Sequence, residues 1–410
     1  MSSLTLAIHG GAAPLEPATG LQPVQLHPIQ LQIAGDIIAG PTAALPEPAA
    51  ATLDASGCTV LPGLVDLHVH GAMGCDTMDA DPAALAEMAR FYARHGVTAF
   101  LPTTMTAAPQ ATLAAVQAVA AYCQAPAPGA RVLGVHLEGP FISPRFPGAQ
   151  LAGAIRPPDL AELAALVAAG PVRMITLAPE VPGAHELIRA ARARGLVVVA
   201  GHTAATYEEC EAAIALGVSQ ATHTYNAMTG LHHRQPGTLG SVLSNDAVYA
   251  QLIADNVHVH PAAMKVLARC KGVERTVLIT DAMRAVGLAP GVYDLGGQTV
   301  TVADGQCRLA DGTLAGSVLT LEVGLANFLA AAGLSLAAGW PAASRTPAAA
   351  LGLGHLLGQI RAGYQADLVL LDQALAVVAT VVGGRVVYLR EPDRLRGDGR
   401  DDHPCCASSE

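Results

Sequence analysis

Aromatic side chains are scarce in this sequence: they make up 3% of 410 residues, with a single tryptophan, Trp340. Lysine is scarcer still, present only as Lys265 and Lys271. Lys plus Arg total 23 against 33 Asp plus Glu, a formal charge of −10. Nucleic acids and anionic membrane surfaces are bound by clustered cations, so this balance speaks against both. An anionic small molecule, by contrast, needs only one or two local cations. No run of about 20 apolar residues is free of polar interruption, so no membrane-spanning helix is expected. The opening Met1–Leu15 has neither a cationic region nor a long apolar one, and no secretory signal is expected. The eight cysteines include no CxxC pair and no compact framework, which reads as reduced thiols in a cytoplasmic protein.

What the chain has in quantity is aliphatic. Hydrophobic residues are 51% of the total, enough for a sizeable core and far from a disordered composition. The length fits two or three domains of roughly 150 residues, or one large barrel with a small companion. Short apolar runs recur at Leu61–His70, Thr98–Met105, Val132–Gly139, Arg173–Pro179, Leu196–Thr203, Gln220–Asn226, Ala250–His258 and Thr276–Met283. Helical stretches lie between them, at Pro82–His95, Ala107–Cys123, Asp159–Ala169, Ala184–Arg194, Tyr207–Leu216 and Pro261–Cys270. Gly230–Val248 reads as a loop with a short helix, and a Gly-rich excursion, Pro290–Ala315, precedes a helix at Leu319–Ala332.

This alternation predicts an α/β fold, a parallel sheet closed as a (β/α)8 TIM-like barrel over 58–357. The rival is an open doubly wound sheet, whose nucleotide-binding forms want a glycine-rich phosphate turn after the first strand. His70-Gly71-Ala72-Met73-Gly74 is not such a turn. Val24–Ile33 near the start, and Ala366–Leu371, Ala376–Val382 and Arg385–Leu389 near the end, read as strands that cannot bury an apolar face alone. Segments 1–57 and 358–392 are therefore expected to pair as one small β-sandwich domain. The polar tail 393–410 is expected to be disordered.

Chemistry concentrates where the apolar runs end. The first closes in His68-Val69-His70, the third in His136-Leu137-Glu138, the fifth in Gly201-His202-Thr203; the sixth carries Thr222-His223-Thr224 and the eighth ends in Thr280-Asp281-Ala282. Residues two apart on a strand share a face, so His68 and His70 can address one ion. A lone buried histidine is more often a satisfied core group than a ligand. Five strand ends of this kind are another matter, because ionisable groups are rarely buried unless paired or coordinated. Imidazole and carboxylate donors suit a divalent ion, zinc in first place, with iron or manganese as alternatives.

Longer segments carry a resemblance. Pro62-Gly63-Leu64-Val65-Asp66-Leu67-His68-Val69-His70-Gly71, His136-Leu137-Glu138-Gly139-Pro140-Phe141 and Gly201-His202-Thr203 are three of them. Thr222-His223-Thr224-Tyr225-Asn226-Ala227-Met228, Ile253-Ala254-Asp255-Asn256-Val257-His258 and Ile279-Thr280-Asp281-Ala282 are the others. Over about 58–390 the chain resembles the amidohydrolase superfamily and, within it, the N-acetylglucosamine-6-phosphate deacetylase family. HxH alone marks only the superfamily; the HLEGP and HxYNAM segments are more specific.

The resemblance implies that Glu138, His202 and His223 hold a main ion. His68 and His70 would hold a second, with Glu138 bridging and Asp281 adjoining, so that one or two ions serve each subunit. It implies hydrolysis of the acetamide of N-acetylglucosamine 6-phosphate in amino-sugar metabolism, by a homodimer. Many superfamily relatives bridge their metals with a carboxylated lysine on the fourth strand. Arg173–Glu180 contains no lysine, which disfavours that subclass. Asp281, at the end of the eighth run, can accept a proton from water and deliver one to the departing amine.

For the phosphate, the resemblance points to Asn226, the Ala227 amide and His258, with Arg234 reaching into the neighbouring subunit. Some members carry a sugar-contacting His in a Gly-x-His element; here it is Gly148-Ala149-Gln150. Gln150 is expected to hydrogen-bond a hydroxyl or the acetyl oxygen without carrying charge. His9, His27, His95, His185, His355 and His403 read as structural, as do Cys75 and Trp340, and the loop residues His232 and His233 stay unassigned. Two rivals remain open: another amidohydrolase, such as a deaminase or an N-acetylgalactosamine-6-phosphate deacetylase, and a non-catalytic barrel that keeps the metal ligands.

Overall fold

The computed structural model describes residues 5–14, 26–41 and 49–397. The eight apolar runs become eight parallel strands, Leu64–Val69, Val97–Thr104, Val135–Glu138, Val172–Leu177, Val197–Ala200, Val218–Ala221, Tyr249–Ile253 and Thr276–Ile279. They pair side by side in chain order, first to eighth. Both faces are covered, which is why they read as nearly unbroken apolar stretches. Outward residues such as Ile175, Leu177 and Val198 pack under the helices. Inward ones such as Val65, Ala99, Met174, Val199, Ile253 and Ile279 fill the barrel.

The helices follow local chemistry. Pro82–Arg94 starts on Asp81, whose side chain accepts from Ala83 N–H, and buries Leu85, Met88, Ala89 and Tyr92 on one face. Tyr207–Leu216 opens with a reciprocal Thr206–Glu209 capping box and stops at Gly217. The short helix expected within Gly230–Val248 is Gly237–Ser244, and buried Lys271 donates to the carbonyls of Val242 and Asn245 at its end.

The barrel closes between its first and eighth strands. Asp281 N–H donates to His68 O at 2.9 Å and His70 N–H to Ala282 O at 2.8 Å. The Gly-rich excursion is more ordered than its composition suggests. Gly291–Leu295, Gln298–Ala303 and Gln306–Arg308 form an antiparallel sheet. It seats Leu295, Val300, Val302 and Cys307 against Met105 and Met283 at the barrel rim.

The chain's two ends share a second sheet, and the small domain is a β-sandwich beside the barrel. Thr59–Pro62 pairs with Leu6–Pro14 on one side and with Leu368–Leu371 on the other, and Val377–Val382 and Arg385–Leu389 follow. This sheet reaches Pro62, beyond the boundary expected at 57, because Leu61 and Val60 face strand Leu368–Leu371. The expectation of a disordered tail from 393 also needs correction: Leu395–Gly397 pairs with Ala51–Leu53, burying Leu395 in the small core. The rest of that tail, with His403, lies outside the described residues. No single helix among the described residues is long and apolar enough to cross a membrane.

Candidate metal centre

Glu138 is the last residue of its strand, and His202, His223 and Asp281 each lie just past the end of theirs. These last three have φ of 47°, 27° and 52°, in the left-handed region that non-glycine residues seldom adopt. Such backbone persists only where its surroundings over-determine it, and it recurs at functional sites. In the first strand, pairing with the second slips between Asp66 and Val69. The slip moves the inward face from Val65 and Leu67, packed in the barrel interior, to His68 and His70. Gly139 has φ of 79°, and a Cβ there would meet Thr106 Oγ1 at 2.1 Å, so the residue after Glu138 must be glycine.

Glu138 belongs to one triad, with His202 and His223, and faces a second, His68–His70–Asp281. Its Oε1 lies 3.2 Å from Nε2 of both His202 and His223. Its Oε2 lies 3.4 Å from His68 Nε2 and 3.3 Å from His70 Nε2. Asp281 Oδ1 is 3.4 and 3.2 Å from the same two nitrogens.

The proton positions follow from the outer partners. His202 Nδ1 faces Phe146 O at 3.0 Å, His223 Nδ1 faces Asn226 O at 3.2 Å and His70 Nδ1 faces Thr103 O at 3.2 Å. A carbonyl only accepts, so these nitrogens carry the hydrogens, and in the neutral ring each Nε2 turns a lone pair inward. The inward nitrogens of His202 and His223 are 3.1 Å apart. Two lone pairs at that distance repel unless a cation lies between them. All six side chains are buried, and four imidazoles with two carboxylates are a donor set that fits a divalent metal. Burial alone would raise both carboxyls, but the histidines outweigh it. Where the rings carry positive charge in place of an ion, His68, His202 and His223 hold Glu138 well below the usual carboxylate range, and His68 and His70 bring Asp281 down to about 2.

His136 belongs to a layer beneath this centre. Its Nδ1 is 3.2 Å from Leu67 O and its Nε2 is 2.8 Å from Thr176 Oγ1, which in turn contacts Thr222 Oγ1 at 2.7 Å. Burial pushes its ring well below the ordinary histidine value, so it stays neutral, packed edge-on against His68 with ring centroids 4.7 Å apart.

A cavity of about 530 Å³ opens over the triads, and Asn226, Ala227, His258 and Gln150 all line it. His258 is oriented by Asp255, its Nδ1 2.6 Å from Asp255 Oδ2. Gln150 turns its amide toward Glu138 and the backbone of Thr106. Arg234 does not line this cavity. It borders a second cleft of about 500 Å³ beside His232, with its guanidinium 2.6 Å from His233 Nε2. The sequence reading passed over Arg145, the one arginine in the wall of the first cavity, and over Asp311 and Thr313 beside the rim sheet. Arg145 sits in the loop after the third strand, and loops at that face of a barrel carry function, which was the available signal.

Residues 59–387 match the family model described as the amidohydrolase family, and the chain belongs to that family. Its relatives narrow the class to deacetylases of amino-sugar phosphates. The N-acetylgalactosamine-6-phosphate deacetylase of Escherichia coli O157:H7 is 41% identical over 359 residues, 87% of this chain and 94% of that protein. The N-acetylglucosamine-6-phosphate deacetylase of Vibrio furnissii is 41% identical over 331 residues, 80% of this chain and 83% of that protein. A solved structure of the Mycobacterium smegmatis N-acetyl-D-glucosamine-6-phosphate deacetylase in complex with N-acetyl-D-glucosamine-6-phosphate aligns with a TM-score of 0.85 at 35% identity. It covers 94% of this chain and 100% of that one.

Proposed function

We propose that this chain hydrolyses the acetamide of N-acetyl-D-glucosamine 6-phosphate to D-glucosamine 6-phosphate and acetate, in the breakdown and recycling of amino sugars. The observation that carries the reading is Glu138 set between two inward-facing histidine pairs beneath a cavity of sugar size. Glu138, His202 and His223 would hold one divalent ion, and His68, His70 and Asp281, with Glu138 bridging, a second. Zinc is the native ion in this reading, with iron or manganese as alternatives. Such an ion supplies Lewis acidity, acidifying water and polarising the amide carbonyl.

The rest falls to the chain. Asp281, in its ionised form, accepts a proton from the attacking water and passes it to the amine, which leaves uncharged. Asn226, the Ala227 amide and His258 serve the phosphate end of the cavity. Arg234, turned away from its own cavity, suits a homodimer in which it reaches the neighbouring site. The cysteines of the described residues are unpaired, which suits the cytoplasm.

Acetate release from the gluco and galacto epimers tests the reading, with faster turnover of the gluco substrate expected. The galacto epimer is a second reading, favoured by the near full-length likeness to the Escherichia coli protein. Faster turnover of that epimer would move the assignment to it. Ammonia in place of acetate would indicate a deaminase, and no product from either would leave a binding barrel.

A further inference from the structure

Glu138 addresses two ion sites at once, Oε1 facing His202 and His223 and Oε2 facing His68 and His70. The last torsion of a glutamate is broad, and a carboxylate is able to present both oxygens to one ion. Something must hold it divided. Gln150 Nε2 donates to Glu138 Oε2 at 2.6 Å, and Gln150 Oε1 accepts from Thr106 N–H at 2.6 Å. A backbone N–H only donates, so Thr106 fixes which end of the amide is oxygen and leaves the amino group facing Glu138. Thr106 Oγ1 also donates to Glu138 O at 3.1 Å, so one residue anchors both the glutamate backbone and the glutamine. Gln150 is 5% exposed, and its amino group has Met105 Sδ at 3.8 Å as its other neighbour.

We propose that Gln150 is a positioning residue for the metal centre, pinning the Glu138 carboxylate so that each oxygen serves a different ion site. An oxygen with two lone pairs can accept from Gln150 and still face the His68–His70 pair. The inference rests on the two-ion reading above. It assigns Gln150 to the metal centre, where the sequence had suggested a sugar contact.

Calorimetric titration of metal-free protein with Zn²⁺, with bound metal counted by elemental analysis, tests it. The wild type takes up two equivalents. Gln150→Met, similar in length but without the donor, keeps the first equivalent and weakens the second about 10- to 100-fold, the usual loss when a metal ligand's hydrogen-bond partner is removed. Retained first-site binding reports an intact barrel, and Gln150→Asn, too short to reach Glu138, gives the same reading should the first variant fail to fold. Two unchanged equivalents, or equal weakening of both, overturns the inference alone. A wild type that takes up one equivalent overturns the two-ion reading and the inference with it.

Discussion

Thr280 Oγ1 donates to Asp66 Oδ2 at 2.6 Å, tying the eighth barrel strand to the first. Asp66 Oδ1 accepts in addition from the N–H groups of His68 and Thr280, at 3.2 and 3.3 Å. No regular ladder joins these two strands, so this carboxyl helps to close the barrel and hold the strand that carries His68 and His70. It is fully buried, and burial pushes it up to about 7, against the pull of its hydrogen bonds.

That shift has a signed consequence for stability. With a folded pKa above the unfolded one, the native state keeps a proton that the unfolded chain has lost. The contribution of Asp66 is therefore full below pH 3.8 and lost as pH rises to about 7. Asp66→Asn cannot ionise. It keeps an oxygen for the N–H groups of His68 and Thr280 and turns its amino group to the Thr280 hydroxyl, which can accept as well as donate. Its denaturation midpoint should therefore exceed that of the wild type by an amount that grows across this window. A variant less stable than the wild type at mildly alkaline pH would contradict the assignment.

Asp281→Asn removes the carboxylate proposed as the base and leaves Glu138, His202 and His223 in place. Turnover should fall about 10²- to 10⁴-fold, the usual worth of a positioned general acid–base, while the metal of the Glu138 triad is retained. Steady-state kinetics beside elemental analysis checks both halves. Near-normal kcat would remove Asp281 from proton transfer.

Arg234→Ala should raise KM for the phosphorylated sugar about 10-fold or more and change kcat little, as expected when one charge-assisted hydrogen bond to a phosphate is lost. Co-refolding this variant with Asp281→Asn places an intact Arg234 beside an intact Asp281 in mixed dimers. Activity at low substrate should then exceed that of either variant alone. No recovery would rule against a shared site.

Much of this was open to reading from the residues, and for physical reasons. Barrel strands buried on both faces leave apolar runs such as Thr98–Met105, and the ligands stand at the ends of those runs because active sites sit at that face. The rim sheet was harder, since glycine dominates its turns. Yet Gly296-Gly297 and Asp304-Gly305 take positive φ between paired Leu295–Gln298 and Ala303–Gln306, the arrangement of tight hairpins, and Asp-Gly was the clue. His136 sits two residues before Glu138 on the same strand face, one layer deeper, as alternation requires. The Gln150–Glu138 bond could not be read, because it depends on Thr106, from the loop after a different strand, presenting its N–H.

Acetate release before and after metal removal bears most directly on the two triads. Stripped with a chelator, folded protein should release acetate from N-acetyl-D-glucosamine 6-phosphate only at background rate, and recover as Zn²⁺ is returned. Undiminished release from protein with no measurable metal would contradict a catalytic role for the Glu138 centre.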